Sequence, residues 1–228
     1  MDKYSLMVPN FLPCKEYFDI KKNNACPGCG ISLAVRHVYK AIEGAIEKAT
    51  WEAPAACDIF GKKSAVSIMR VKKDKAEVVI CFDNEAGGKL EDAIAKKMPA
   101  VAVAQSYKYV ATASPSYPFD LFDKVKKAME TEGKSYIHIL CPCPVAWKFE
   151  PEATVKVGFK AVETLAFPLY EVGSGFYNIT IKTMQPKKLD VYLTAQERFE
   201  KLSAKDIAQA SATVEKEYAR LAENAQPK

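Results

Sequence analysis

Long apolar runs are missing from this chain. The two longest, residues 78–82 and 99–104, fall far short of the roughly 20 residues a membrane-spanning helix needs, so no spanning segment and no membrane partner is expected. The start, Met1-Asp2-Lys3-Tyr4 with Pro9 and Pro13 close behind, lacks the apolar core of a signal peptide, and the chain reads as cytoplasmic. Glycine and proline are sparse, at 10 and 13 of 228 residues, which excludes a collagen-like or disordered chain. An excess of one charge is also missing: 33 Lys and Arg against 28 Asp and Glu leave +5, with no arginine-rich stripe, which argues against a nucleic-acid surface. Lys72, Lys73 and Lys75 gather, as do Lys187 and Lys188, and read as a solvated face able to dock an acidic electron carrier. Histidine is nearly absent. His37 falls on the polar side of a helical pattern and His138 inside a strand pattern, so neither reads as a catalytic base.

What remains is an ordered α/β pattern. Apolar residues make up 49% of the chain, enough for a buried core in one domain with attachments or two small ones. Residues 1–24 form an irregular lead. Ile31, Ala34, Val35, Val38, Ile42, Ala45 and Ile46 recur at helical spacing after a turn at Cys26-Pro27-Gly28-Cys29. Residues 49–64 read as loop. Residues 78–82 read as a buried strand ending in Asp83-Asn84, residues 90–97 as a helix, residues 109–113 as a second strand and residues 119–130 as an amphipathic helix. A third strand at 136–140 delivers Cys141 and Cys143. Strand, helix, strand in this order predicts a parallel sheet, in which ligands sit beyond the C-terminal strand ends. A helix at 154–165 follows. Residues 169–172 and 176–181 flank Gly173-Ser174-Gly175 as a hairpin, and 203–225 form a helix started by Ser203 with Asp206. The units are therefore 1–24, 25–166 and 167–228.

The informative residue is cysteine, seven in all: Cys14, Cys26, Cys29, Cys57, Cys81, Cys141 and Cys143. In a cytoplasmic chain such clusters serve metals or redox chemistry rather than a disulfide framework. The turn at Cys26 to Cys29 aims two thiolates at one point, and its backbone N–H groups can stabilise negative charge. Cys57, Cys141 and Cys143 offer further ligands, which suit an iron–sulfur cluster or structural zinc; spacing alone leaves both open. A thioredoxin-like dithiol would follow a strand, whereas residues 21–24 are polar. Cys81 reads as a core residue and Cys14 as a packing thiol.

Several stretches together resemble the beta subunits of the 2-oxoacid:ferredoxin oxidoreductases, most nearly the pyruvate branch (pyruvate synthase). They are Ala25-Cys26-Pro27-Gly28-Cys29-Gly30, Val79-Ile80-Cys81-Phe82-Asp83-Asn84-Glu85, residues 109–120, residues 135–140 with Pro142-Cys143-Pro144 and Trp147, Ala161-Val162-Glu163-Thr164 with Pro168-Leu169-Tyr170-Glu171, Pro186-Lys187-Lys188, and Tyr192-Leu193 through Arg198-Phe199. They run in order over residues 11–202. The resemblance implies a shortened thiamine diphosphate-binding-type parallel sheet with flanking helices, followed by a C-terminal hairpin and helix. It also implies thiamine diphosphate with Mg²⁺ and a 4Fe–4S cluster. The activity implied is oxidative decarboxylation of a 2-oxoacid, pyruvate by this likeness, with coenzyme A as acyl acceptor. Electrons would leave through the cluster to ferredoxin, in an assembly with alpha-, gamma- and delta-type subunits.

Carried over position by position, Cys26, Cys29, Cys57 and Cys143 match the cluster ligands. Asp83, Asn84, Glu85 and Ala86 match the cofactor-binding segment, with the Asn84 side chain and the Ala86 carbonyl as Mg²⁺ ligands. The sequence also departs from the family. Ala55-Ala56-Cys57-Asp58 replaces the usual Thr-Gly-Cys, and Cys141 stands where a small apolar residue is usual. The Gly-Asp-Gly motif that supplies the Mg²⁺ carboxylate has no counterpart, since residues 61–70 contain no Asp. Asp83-Asn84-Glu85-Ala86 runs directly into Gly87-Gly88 without the family's Asn-Thr-Gly, so two internal stretches around the diphosphate are absent. Glu85 is the candidate substitute carboxylate. Three readings follow: an oxidoreductase subunit, a non-catalytic iron–sulfur relay or assembly subunit without thiamine diphosphate, and a zinc-stabilised interaction protein.

Overall fold

A computed structural model describes residues 12–18, 25–53, 66–85, 90–94 and 98–225. Seven strands form one sheet: β1 (Ala49–Ala53), β2 (Val66–Lys73), β3 (Ala76–Asp83), β4 (Tyr109–Ala113), β5 (Gly133–Leu140), β6 (Tyr170–Gly173) and β7 (Phe176–Ile179), in the order β1-β2-β3-β5-β4-β6-β7. The three central strands β3, β5 and β4 are parallel, as the strand–helix–strand pattern predicts. The outer pairs are antiparallel, so the sheet as a whole is mixed. The cause is connection length. Asp74-Lys75 and Ser174-Gly175 are tight reversals with Asp74, Ser174 and Gly175 at positive φ, and such turns can join only antiparallel neighbours.

One correction to the sequence reading concerns residues 49–64. Residues 49–53 are not loop but the edge strand β1, paired with β2. In β2, Met69 and Val71 are buried while Lys72 and Lys73 are exposed, a half-buried alternation weaker as a signal than the continuous run of β3. The rest of that segment, with Cys57, lies outside the described residues, as does Ala86.

Alternation on the central strands builds two different faces. Val78, Ile80 and Phe82 of β3 and Ile137 and Ile139 of β5 face a core closed by α1 (Gly30–Ile42) and, later in the chain, the helix Pro118–Glu130. Val79, Cys81 and Tyr136 face the other side, where Ala102 and Val172 pack. The short helices α2 (Leu90–Ile94) and α3 (Met98–Ala104) precede β4, and α4 is Pro118–Glu130, opened by proline at its first turn. After β5 come α5 (Pro144–Trp147), α6 (Thr154–Glu163), the β6–β7 hairpin, α7 (Asp190–Leu193), a 3₁₀ turn at Glu197–Phe199 and α8 (Ala204–Asn224). A second core around Trp147, Phe167, Tyr192 and Val214 gathers these C-terminal elements against Leu140. The N-terminus of α8 is closed as predicted: the Ser203 side chain accepts from the Asp206 N–H, and the Asp206 carboxylate from the Ser203 N–H. Among the described residues no helix is long and apolar enough to cross a membrane.

Candidate functional site

Because β3, β5 and β4 are parallel, their C-terminal ends open on one edge of the sheet, and the candidate residues meet there. The Cys141 N–H donates to the Asp83 carbonyl at 2.7 Å, which ties the end of β5 to the end of β3. The N–H of Gly30, first residue of α1, donates to the Pro142 carbonyl at 3.1 Å. A side chain at Gly30 would have no room: its Cβ would lie 2.4 Å from the Pro142 oxygen. Gly28 takes φ +67°, a region that favours glycine, and its Cβ would lie 2.4 Å from the Pro151 oxygen. The Thr154 hydroxyl donates to the Gly28 carbonyl at 2.6 Å. The turn carrying Cys26 and Cys29 thus lies backbone against backbone on the segment carrying Cys141 and Cys143.

The cysteines are not equivalent. Cys29 and Cys141 are buried in the core beneath α1, whereas Cys143 belongs to the second core beside Trp147. Burial, with the negative charge of nearby groups, pushes the Cys141 thiol well above its ordinary value. Cys143 caps the start of α5, its sulfur accepting the Ala146 N–H at 3.4 Å. Cys26 is half-buried, Cys81 lies in the interior of β3 and Cys14 is exposed. Among the described residues no group of three or more His, Cys, Asp and Glu side chains is placed to hold a metal ion. The structure brings the two cysteine-bearing segments together, and the predicted fourth ligand, Cys57, lies outside the described residues.

Next to these cysteines, the predicted cofactor segment is held in a buried polar network. Asp83 Oδ1 accepts the Glu85 N–H at 2.8 Å, and Oδ2 accepts from His138 Nε2 at 3.0 Å. The other imidazole nitrogen, Nδ1, is 2.9 Å from the Tyr136 hydroxyl. Burial works against charge on His138, but the Asp83 carboxylate and the Cys81 sulfur outweigh it and lift the imidazole to about 9. His138 is the satisfied core histidine that the strand pattern indicates. Glu85 adopts φ 49° and is buried. Its Oε2 accepts from Arg198 Nη2 at 2.7 Å, and its carbonyl from Arg198 Nη1 at 3.0 Å. The Asn84 carbonyl accepts the Trp147 indole N–H at 2.7 Å. The Arg198 guanidinium lies over the Trp147 ring, 4.2 Å from its centroid.

Trp147, Arg198 and the Asp83 partner His138 carry this network, and sequence reasoning assigned none of them a place in the site. Trp147 and Arg198 stood within the resembling stretches, but nothing in periodicity indicates that Arg198 reaches back 113 residues to Glu85.

No family model matches the chain. Curated proteins do. The chain is 46% identical over 113 residues to pyruvate synthase subunit PorB of Methanothermobacter thermautotrophicus, covering 50% of this chain and 39% of that protein. It is 44% identical over 124 residues to pyruvate synthase subunit PorB of Methanocaldococcus jannaschii, covering 54% and 42%. It is 36% identical over 143 residues to ketoisovalerate oxidoreductase subunit VorB of Pyrococcus abyssi, covering 60% and 46%. The matched stretches span less than half the length of these relatives. The resemblance read from the residues is borne out: over about half its length this chain is similar to subunits of pyruvate synthase and ketoisovalerate oxidoreductase.

Proposed function

We propose that the chain is the iron–sulfur-bearing beta-type subunit of a 2-oxoacid:ferredoxin oxidoreductase assembly. In that assembly a 2-oxoacid, pyruvate in the first instance, and coenzyme A give an acyl-coenzyme A and CO₂, and the electrons released leave for ferredoxin. Within this reading Cys26, Cys29, Cys57 and Cys143 hold a 4Fe–4S cluster, which when bound supplies one-electron transfer. The observation that carries the proposal is the seating of the Cys26 to Cys29 turn on the Pro142 backbone at the C-terminal edge of the parallel strands. Likeness to pyruvate synthase subunits supports it. The chain's own part is to fix the turn through Gly28 and Gly30 and to present main-chain N–H groups to sulfur, as Ala146 does to Cys143.

The donor set at the strand end does not fit a thiamine diphosphate–Mg²⁺ pair in the same way. Mg²⁺ is usually held through one or two carboxylates together with substrate phosphates. Both Asp83 oxygens are engaged, by the Glu85 N–H and His138, and the Glu85 carboxylate forms a buried ion pair with Arg198. Glu85 as the substitute carboxylate would have to leave Arg198 buried and uncompensated, which is costly. This favours a second reading, in which the subunit relays electrons or supports assembly without binding thiamine diphosphate itself.

Protein purified anaerobically should be brown with a broad visible charge-transfer band, and Cys57→Ser should remove the colour. Persistent colour in that variant would remove Cys57 from the ligand set, and colourless protein with bound zinc would replace the whole reading by the interaction protein. Calorimetric titration of the complex with thiamine diphosphate and Mg²⁺ separates the two iron–sulfur readings: saturable binding by this subunit rules out the relay alone.

A further inference from the structure

Cys143 sits between Pro142 and Pro144 and caps α5, a helix of a single turn closed by the Trp147 N–H on the Cys143 carbonyl at 2.9 Å. So short a helix has no cooperative length of its own and holds its shape only through what packs on it. The anchor is its own last residue, Trp147, fully buried, with its indole N–H on the Asn84 carbonyl and its ring face under Arg198. The Arg198 side chain is also buried, at 5% exposure. It is stacked on Phe199 as well as Trp147, donates Nε to Gln196 at 2.8 Å, and grips Glu85 through both carboxylate and carbonyl. Its own turn is tied to the far end of α5, where the Glu197 N–H meets the Lys148 carbonyl at 3.2 Å.

We infer that Arg198 is a positioning residue for Cys143. By bridging Trp147 and Glu85 it locks the one-turn helix that carries the cysteine onto the end of β3, so the C-terminal segment sets the orientation of a thiol more than 50 residues earlier in the chain. A planar guanidinium is required, because it must stack on an indole and pair with a carboxylate at once; a lysine keeps the charge and loses the stack.

The first arm of the test is independent of any cluster. Iodoacetamide labelling of the full chain, reduced and metal-free, is followed cysteine by cysteine by peptide mass spectrometry. In Arg198→Met, Cys143 is expected to label about tenfold faster, with Cys81 and Cys141 unchanged and Arg198→Lys in between. A general loosening would speed Cys81, Cys141 and Cys143 together, and that result overturns the inference, as does an unchanged Cys143. Arg198→Lys, which keeps a charge opposite Glu85, carries the measurement if the methionine variant does not fold.

The second arm rests on the proposed function. In protein reconstituted with iron and sulfide, Arg198→Lys should alter the electron paramagnetic resonance signature of the reduced cluster while iron content holds. Wild-type protein that takes up no cluster removes the functional reading and leaves the labelling result standing.

Discussion

Asp83 shows what a single buried side chain does at this edge. Its two oxygens join residues from β5 and from its own strand end, with His138 as the β5 partner. Replacing His138 with Phe leaves a buried carboxylate short of its partner, and such a loss costs about 3–5 kcal/mol. Urea unfolding monitored by circular dichroism should show it as a lower midpoint with unchanged slope. At Gly30 the cause is space. An added methyl group would press on the Pro142 oxygen, and overpacking of this kind costs about 1–3 kcal/mol. Gly30→Ala should therefore lower the midpoint as well, and the crystal structure of the variant should show the α1 start displaced from Pro142. The cysteine pair of the turn was legible because spacing within four residues is local. The seat of that turn on Pro142, and the reach of Arg198 to Glu85, depend on contacts between distant segments that no local pattern encodes.

At the scale of elements, legibility followed the strength of the repeat. The strand at residues 109–113 and the start of α6 at Thr154 agree with their sequence readings because each is a strongly patterned run with clear boundaries. β1 and β2 escaped because neither carries a long apolar run: β1 is only five residues, and β2 mixes buried Met69 and Val71 with exposed Lys72 and Lys73. The sheet's other edge is pinned to the centre by Glu171 of β6, which accepts from Tyr109 of β4 at 2.7 Å, from Lys127 of α4 at 2.9 Å and from Asn178 of β7 at 3.0 Å. Burial opposes its charge, but Lys127, Tyr109 and Asn178 prevail and hold the carboxyl below its ordinary 4.5. A carboxyl lowered in the folded state contributes stability that is present above about 4.5 and is lost as pH falls through the folded value. Unfolding free energies measured between pH 7 and the acid limb should accordingly converge for wild type and Glu171→Gln as the pH drops, with wild type the more stable at neutral pH. A gap that persists unchanged in acid would mean that the ion pair is not its source.

For the whole molecule, the α/β class and the edge at which the candidate residues meet were both readable from the order of strands and helices, since parallel strands place their ends together. The antiparallel flanks were not, because tight turns of two residues decide them rather than the pattern of the strands they join. The central claim is that two cysteine-bearing segments, brought together at this edge, hold one iron–sulfur cluster with Cys143, rather than its buried neighbour Cys141, as a ligand. Iron and acid-labile sulfide analysis of anaerobically reconstituted full chain tests it most directly. The account predicts about four of each per chain in wild type and in Cys141→Ala, with loss of both in Cys143→Ala. Wild type without iron, or iron lost from Cys141→Ala and kept in Cys143→Ala, would contradict it.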